Sequence, residues 1–138
     1  MRQLLASMSL PFALCLAAPV LAATDYPLTI ANCGRDVTFE KAPQKVVSVG
    51  QGMTEILFSL GLADRIAGTA VWVGPVLAEY AEANSRITRL ADNDPSFESV
   101  VGQEPDLVAG EFESHVGAQG SVGNRDQFSA LGFNTYVA

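Results

Sequence analysis

Gly50-Gln51-Gly52, with Glu55 three residues further on, directly follows the apolar run Val46-Val47-Ser48-Val49. A Gly-x-Gly turn between a strand and a helix is the opening of a dinucleotide cradle, but the third glycine of that fingerprint has its place taken here by Glu55. A carboxylate there repels pyrophosphate. No Gly-Lys-Ser/Thr follows, so a Walker loop is excluded as well. Two uses remain for Glu55. With Gly52 at the N-cap it falls at N3, where its side chain can reach back to the cap amide and favour the positive end of the helix. Alternatively it is an exposed docking charge.

Other chemistry-bearing residues are sparse. His115 is the only histidine, and metal sites want several His, Cys or carboxylate ligands converging. It is expected as a loop residue on a cleft rim. Asp92-Asn93-Asp94 has the start of a calcium loop without its glycine or distal glutamate, so a capping turn is the better account. There is no Gly-x-Ser-x-Gly elbow. The residues predict no catalytic centre, no cofactor and no bound metal.

The elements that must position these residues follow from patterning. "LTIANCGRDVTFE" holds two alternating runs, Leu28 to Ala31 and Val37 to Phe39, around the turn Asn32-Cys33-Gly34-Arg35, and reads as a hairpin. Beyond it come short apolar runs separated by helical stretches: "KVVSV", "RIAGTA", "ITRLA", "DLVAG" and "NTYVA". These predict an α/β fold with an open parallel sheet of about four to five strands covered by helices on both faces. Helices are expected from Met53 to Leu60, with Met53, Ile56, Leu57 and Leu60 on one face and Gly61 behind it. Further helices are expected from Pro75 to Ala83, after a cap at Asp94 or Ser96, and from roughly Arg125 to Leu131. Gly117 to Asn124 reads as a flexible loop.

Of the 138 residues, 49% are hydrophobic and the formal net charge is −7. The first 22 read as a secretory signal: Arg2, an apolar run broken by Pro11 and Pro19, and a Val20-Leu21-Ala22 cleavage site. Leu14 stands before Cys15 where a lipobox wants a small residue. Without the leader, seven basic residues face 15 acidic ones, which argues against nucleic-acid binding. Cys33 is then the lone cysteine, either a buried small hydrophobe or half of a bridge to a residue outside this chain.

The stretch "PQKVVSVGQGMTEILFSLGLADRIAGTA", followed by "SFESVVGQEPDLVAG", resembles the periplasmic substrate-binding proteins of ABC importers for ferric siderophores, haem and cobalamin. Thr54-Glu55-Ile56-Leu57 and Pro105-Asp106-Leu107-Val108 stand in the order and spacing of that family; Lys45 replaces a usual arginine, and Gln51 a frequent proline or serine. The resemblance implies a two-lobed protein with its ligand between the lobes, and it identifies residues 23–138 as the N-terminal lobe without the linking helix and second lobe. It also implies periplasmic localisation, a small-molecule metal chelate as ligand, favouring a siderophore over haem or cobalamin, and Glu55 as the charge that docks on the permease. A monomer is expected. Ligands in open parallel sheets sit beyond the strands' carboxyl ends. That selects Gly50 to Gly52, Trp72, Asp92 and Asn93, and Glu111 to His115, of which Gly50, Gln51, Gly52, Trp72, Asn93, Phe112 and His115 are the ligand-binding candidates. The alternative is an interaction lobe that carries no ligand.

Overall fold

The computed structural model describes residues 23–138; the leader read over residues 1–22 lies outside them. Strands β1 (Leu28–Asn32) and β2 (Arg35–Phe39) form the expected antiparallel hairpin. The chain then alternates as β3 (Val46–Val49), α1 (Gln51–Ser59), β4 (Ile66–Ala70), α2 (Ala81–Ser85), β5 (Arg89–Ala91), α3 (Phe97–Val101), β6 (Leu107–Gly110), α4 (Glu113–Val116), α5 (Arg125–Ala130) and β7 (Asn134–Val137). The last five strands pair in parallel in the order β5-β4-β3-β6-β7.

Side-chain alternation along the central strands builds two cores. Val47, Val49, Val108 and Val137 point to one face, where Val100, Val116, Val122 and Phe128 cover them. Val46 and Ala109 point to the other, against Met53, Leu57, Phe58 and Ile66. Successive residues of a strand face opposite ways, so near-continuously apolar strands require cover on both sides. Burying Phe128 completely contributes about 2–3 kcal/mol.

The entry to β3 is held by Asp106, whose two carboxylate oxygens accept from the Gln44 and Lys45 amides at 2.8 and 2.9 Å. Charge-assisted pairing of this kind explains why an aspartate stands between buried Pro105 and the strand β6 that adjoins β3.

Several local expectations are corrected. Helix α1 starts at Gln51 behind Gly50, not behind Gly52, so Glu55 lies beyond N3 and does not cap it. Its buried face is Met53, Thr54, Leu57 and Phe58, while Ile56 and Leu60 are exposed. Thr54 displaces the expected apolar residues because its hydroxyl is satisfied inside: it donates to the Gly50 carbonyl at 3.0 Å and accepts from Ser48 Oγ at 2.9 Å. Pro75 does not open a helix; a 3₁₀ turn at Ala78–Tyr80 leads into α2. Ser96, rather than Asp94, caps α3 through the Ser99 amide. The 117–124 segment is anchored: Val122 is buried, and its amide donates to the His115 carbonyl at 3.1 Å. Cys33 is exposed in the hairpin turn with φ 48°, which removes the buried-hydrophobe reading.

Helix α5 ends close to expectation, with Gly132 behind it at φ 81°. It begins with a reciprocal capping box, Asn124 Oδ1 accepting from the Gln127 amide and Gln127 Oε1 from the Asn124 amide, both at 2.9 Å. Replacing Asn124 with alanine is expected to lower stability by about 1 kcal/mol in urea unfolding, with Gln127→Ala costing less because the cap oxygen survives.

Candidate ligand groove

The strand order places a topological switch point between β3 and β6, where the connections leave in opposite directions and a crevice opens beyond the carboxyl ends. The ladder runs one residue past each neighbouring strand, Gly50 N–H donating to the Ala70 carbonyl at 2.9 Å and Glu111 N–H to the Val49 carbonyl at 2.8 Å. The turns that follow then part around an open groove of about 610 Å³. Its apolar walls are Val71, Val73, Pro75 and Phe112; its polar lining is Gln51, Glu55 and Glu111, with Gly52 and Gly74 completing it.

The Gly-x-Gly turn is filled by the chain's own carboxylate. Glu111 Oε2 accepts from the Gly52 amide at 3.0 Å, satisfying one of the donors that a helix start leaves free and sitting at the positive end of α1. A Cβ on Gly50 would collide with Glu111 Cβ and Oε2, and one on Gly52 would lie 2.8 Å from Glu111 Oε1. The two glycines therefore make room for Glu111 and not for a phosphate.

Gln51 is the clasp of the groove. Its Oε1 accepts from the Val73 and Gly74 amides at 3.1 and 3.0 Å, and its Nε2 donates to the Pro75 carbonyl at 3.2 Å and to Glu55 Oε1 at 3.0 Å. Both donors and both lone pairs of the amide are used. This holds the β4–α2 loop against α1 and fixes the Glu55 carboxylate. The same loop carries a strained residue: Val71 has φ 61°, a region that costs a β-branched residue about 1–3 kcal/mol and persists only where surroundings enforce it. The enforcing contacts are the Trp72 amide to the Asp92 carbonyl at 2.9 Å and the Gln51 clasp. Replacing Gln51 with alanine is expected to raise hydrogen exchange at the Val73 and Gly74 amides at least tenfold, while global stability falls by about 1 kcal/mol.

The structure thus gathers Gln51, Gly52, Glu55 and Phe112 around one groove, with Gly50 buried beneath Glu111. Phe112 is 56% exposed there. Trp72 does not line the groove. Its indole N–H donates to Thr69 Oγ1 at 3.3 Å, and the Arg89 guanidinium stacks 4.5 Å from its ring centroid. Asn93 is exposed in the turn after β5 and does not line the groove. His115 is buried on α4 rather than on a rim, its ring 5.4 Å edge-on from Phe112, and its Nδ1 has no partner among the described residues. Glu111, within the strand-end stretch that the sequence selected, also lines the groove, and Val71 and Val73 are groove residues that the sequence did not single out. What the strand-end position of Glu111 did not reveal is that its carboxylate fills the Gly-x-Gly turn.

Among the described residues no three His, Cys, Asp or Glu side chains converge to hold a metal ion, and no helix is long and apolar enough to cross a membrane. What fold and groove define is an α/β lobe with an open groove beyond the carboxyl ends of its strands. The chain belongs to the periplasmic binding protein family, whose model matches residues 46–131. It is 32% identical over 84 residues to an uncharacterized ABC transporter substrate-binding lipoprotein, YvrC, of Bacillus subtilis, a match spanning 60% of this chain and 25% of that protein. Among solved structures, an ABC-type Fe3+-hydroxamate transport system from Saccharomonospora viridis is 29% identical with a TM-score of 0.68, covering 82% of this chain and 39% of the other. A periplasmic binding protein from Veillonella parvula is 25% identical with the same TM-score, covering 80% and 37%. The haem-binding protein HmuT shares the fold, at 20% identity and a TM-score of 0.60 over 87% of this chain and 37% of that one. The chain therefore spans about a quarter to two fifths of these relatives' lengths. They are binding and transport components rather than enzymes, in agreement with the reading of the sequence.

Proposed function

We propose that the chain is the N-terminal lobe of the substrate-binding component of an ABC importer, exported by a cleaved leader at residues 1–22, and that it captures an iron chelate of the siderophore type for delivery to the permease. The observation that carries this reading is the groove at the β3/β6 switch point, in a fold 29% identical to an Fe3+-hydroxamate transport protein. Phe112 offers a flat apolar face to the chelate, and the Gln51 clasp keeps the opposing loop in place.

Glu55 is the docking charge in this reading. Gln51 holds one of its oxygens and leaves the other free at the groove edge, a fixed geometry suited to an arginine of the membrane partner. Calorimetric titration of the protein with an iron(III) hydroxamate complex tests capture: binding weakened at least threefold by Phe112→Ala supports it, and no heat up to high micromolar chelate counts against it. Radio-iron uptake tests docking. Glu55→Lys is expected to depress uptake well beyond any change in chelate affinity, and equal changes in both would remove the docking role.

A further inference from the structure

We infer that the groove selects chelates by charge, taking neutral or cationic complexes and rejecting anionic ones, with Glu111 as the determinant and Glu55 adding to it; this rests on the ligand-capture reading above. Two carboxylates and no basic side chain line the groove. The only ion pairs among the described residues, Arg35–Asp126 and Arg89–Asp92, involve neither of them, so Glu55 and Glu111 face the cavity without a cation. Arg89 stacks on Trp72 and does not line the groove. Each groove carboxylate uses one oxygen on the protein, Glu55 Oε1 on Gln51 and Glu111 Oε2 on Gly52.

The positive end of α1 would otherwise attract an anion. Glu111 already fills that seat, its carboxylate on the Gly52 amide and packed closely against Gly50 and Gly52. An anionic chelate would have to displace Glu111 and also face Glu55, in a chain of net charge −7. A ligand with an ammonium or amide N–H meets free acceptor oxygens, and its hydrocarbon arms meet Val71, Val73, Pro75 and Phe112.

The test uses gallium(III) complexes in place of iron, so that amide NMR signals of Gln51, Val73 and Gly74 stay sharp and report both folding and binding. Three probes are titrated: a linear tris-hydroxamate with a free ammonium arm, its neutral N-acetylated form, and a triply anionic tris-catecholate. The expected order is cationic over neutral by about three- to tenfold at low salt, with the catecholate weakest and the preference shrinking as salt screens it. Glu111→Gln should cut the preference between the two hydroxamates to the smaller part that Glu55 supplies, and Glu111→Ala, by opening the seat at α1, should raise catecholate affinity. Catecholate binding as tight as the hydroxamates in the unaltered protein would overturn charge selection and leave chelate capture standing. An unchanged preference in folded Glu111→Gln would overturn the role of Glu111. Binding of none of the three would overturn both readings.

Discussion

Gly50→Ala is expected to lower stability by about 3 kcal/mol or more in urea unfolding and to disorder the groove. Two penalties act together: φ 116° is a backbone region an L side chain rarely adopts, and the new methyl overlaps the Glu111 side chain. Glu111→Gly, which removes the overlapping Cβ together with the carboxylate, relieves only the second, so the Gly50→Ala/Glu111→Gly pair should recover part of the loss, a positive coupling that a double-mutant cycle measures. Gly52 behaves differently because it lies within α1 with no unusual φ. Gly52→Ala should destabilise the unaltered protein, since the methyl presses on the Glu111 carboxylate. In the Glu111→Ala background it should instead stabilise by up to about 1 kcal/mol, the helix-propensity gain of alanine over glycine. A sign that does not invert would show that Glu111 is not what the two glycines accommodate.

Arg125→Met should cost about 3–5 kcal/mol and release the hairpin. Arg125 is 5% exposed, and its guanidinium donates to the Asn32 backbone carbonyl at 2.8 Å, to Asn32 Oδ1 at 3.1 Å, to Thr135 Oγ1 at 2.9 Å and to the Thr135 carbonyl at 3.0 Å. Asn32 in turn pairs with the Val137 backbone on both sides, at 2.8 and 2.9 Å, so hairpin and edge strand β7 are joined through one side-chain network. Truncation leaves several buried acceptors unsatisfied at once, the costly way to lose hydrogen bonds. Hydrogen exchange should show β1 and β2 opening while the core around Val47 and Val108 stays protected. Burial, with Arg35 adding to it, pushes the Arg125 pKa down from its ordinary value, yet guanidinium remains charged at neutral pH. In Arg125→Lys the same burial acts on a weaker base. A folded-state pKa below the unfolded one means the unfolded chain binds more protons, so the stability of that variant should rise with pH up to the ordinary lysine value of about 10.4.

Much of the architecture was legible because strand patterning and turn chemistry are local. The runs Val46-Val47-Ser48-Val49 and Leu107-Val108-Ala109-Gly110 are buried on both faces, and continuous apolarity admits little else. Helix faces were less legible. At α1 the apolar residues Ile56 and Leu60 looked like core, and Thr54 won the buried place because Ser48 and the Gly50 carbonyl, two partners near in space, satisfy its hydroxyl. The same limit governed Trp72: its position after a strand was readable, but its placement depended on the left-handed backbone at Val71 and on contacts with Thr69 and Arg89.

The sequence by itself determined a hairpin followed by a two-sided parallel sheet, the strand-end turns that carry polar residues, and membership of a binding-protein family, all written in short-range patterns and ordered motifs. Only tertiary structure decided what meets across those turns. Glu111 lies 59 residues from Gly52 and Gln51 lies 23 from Gly74, so their contacts depend on strand order and loop closure. No period or spacing encodes them. Whether a glycine pair cradles a foreign phosphate or its own chain's carboxylate was settled there, by which side chain the neighbouring strand delivered to the helix start.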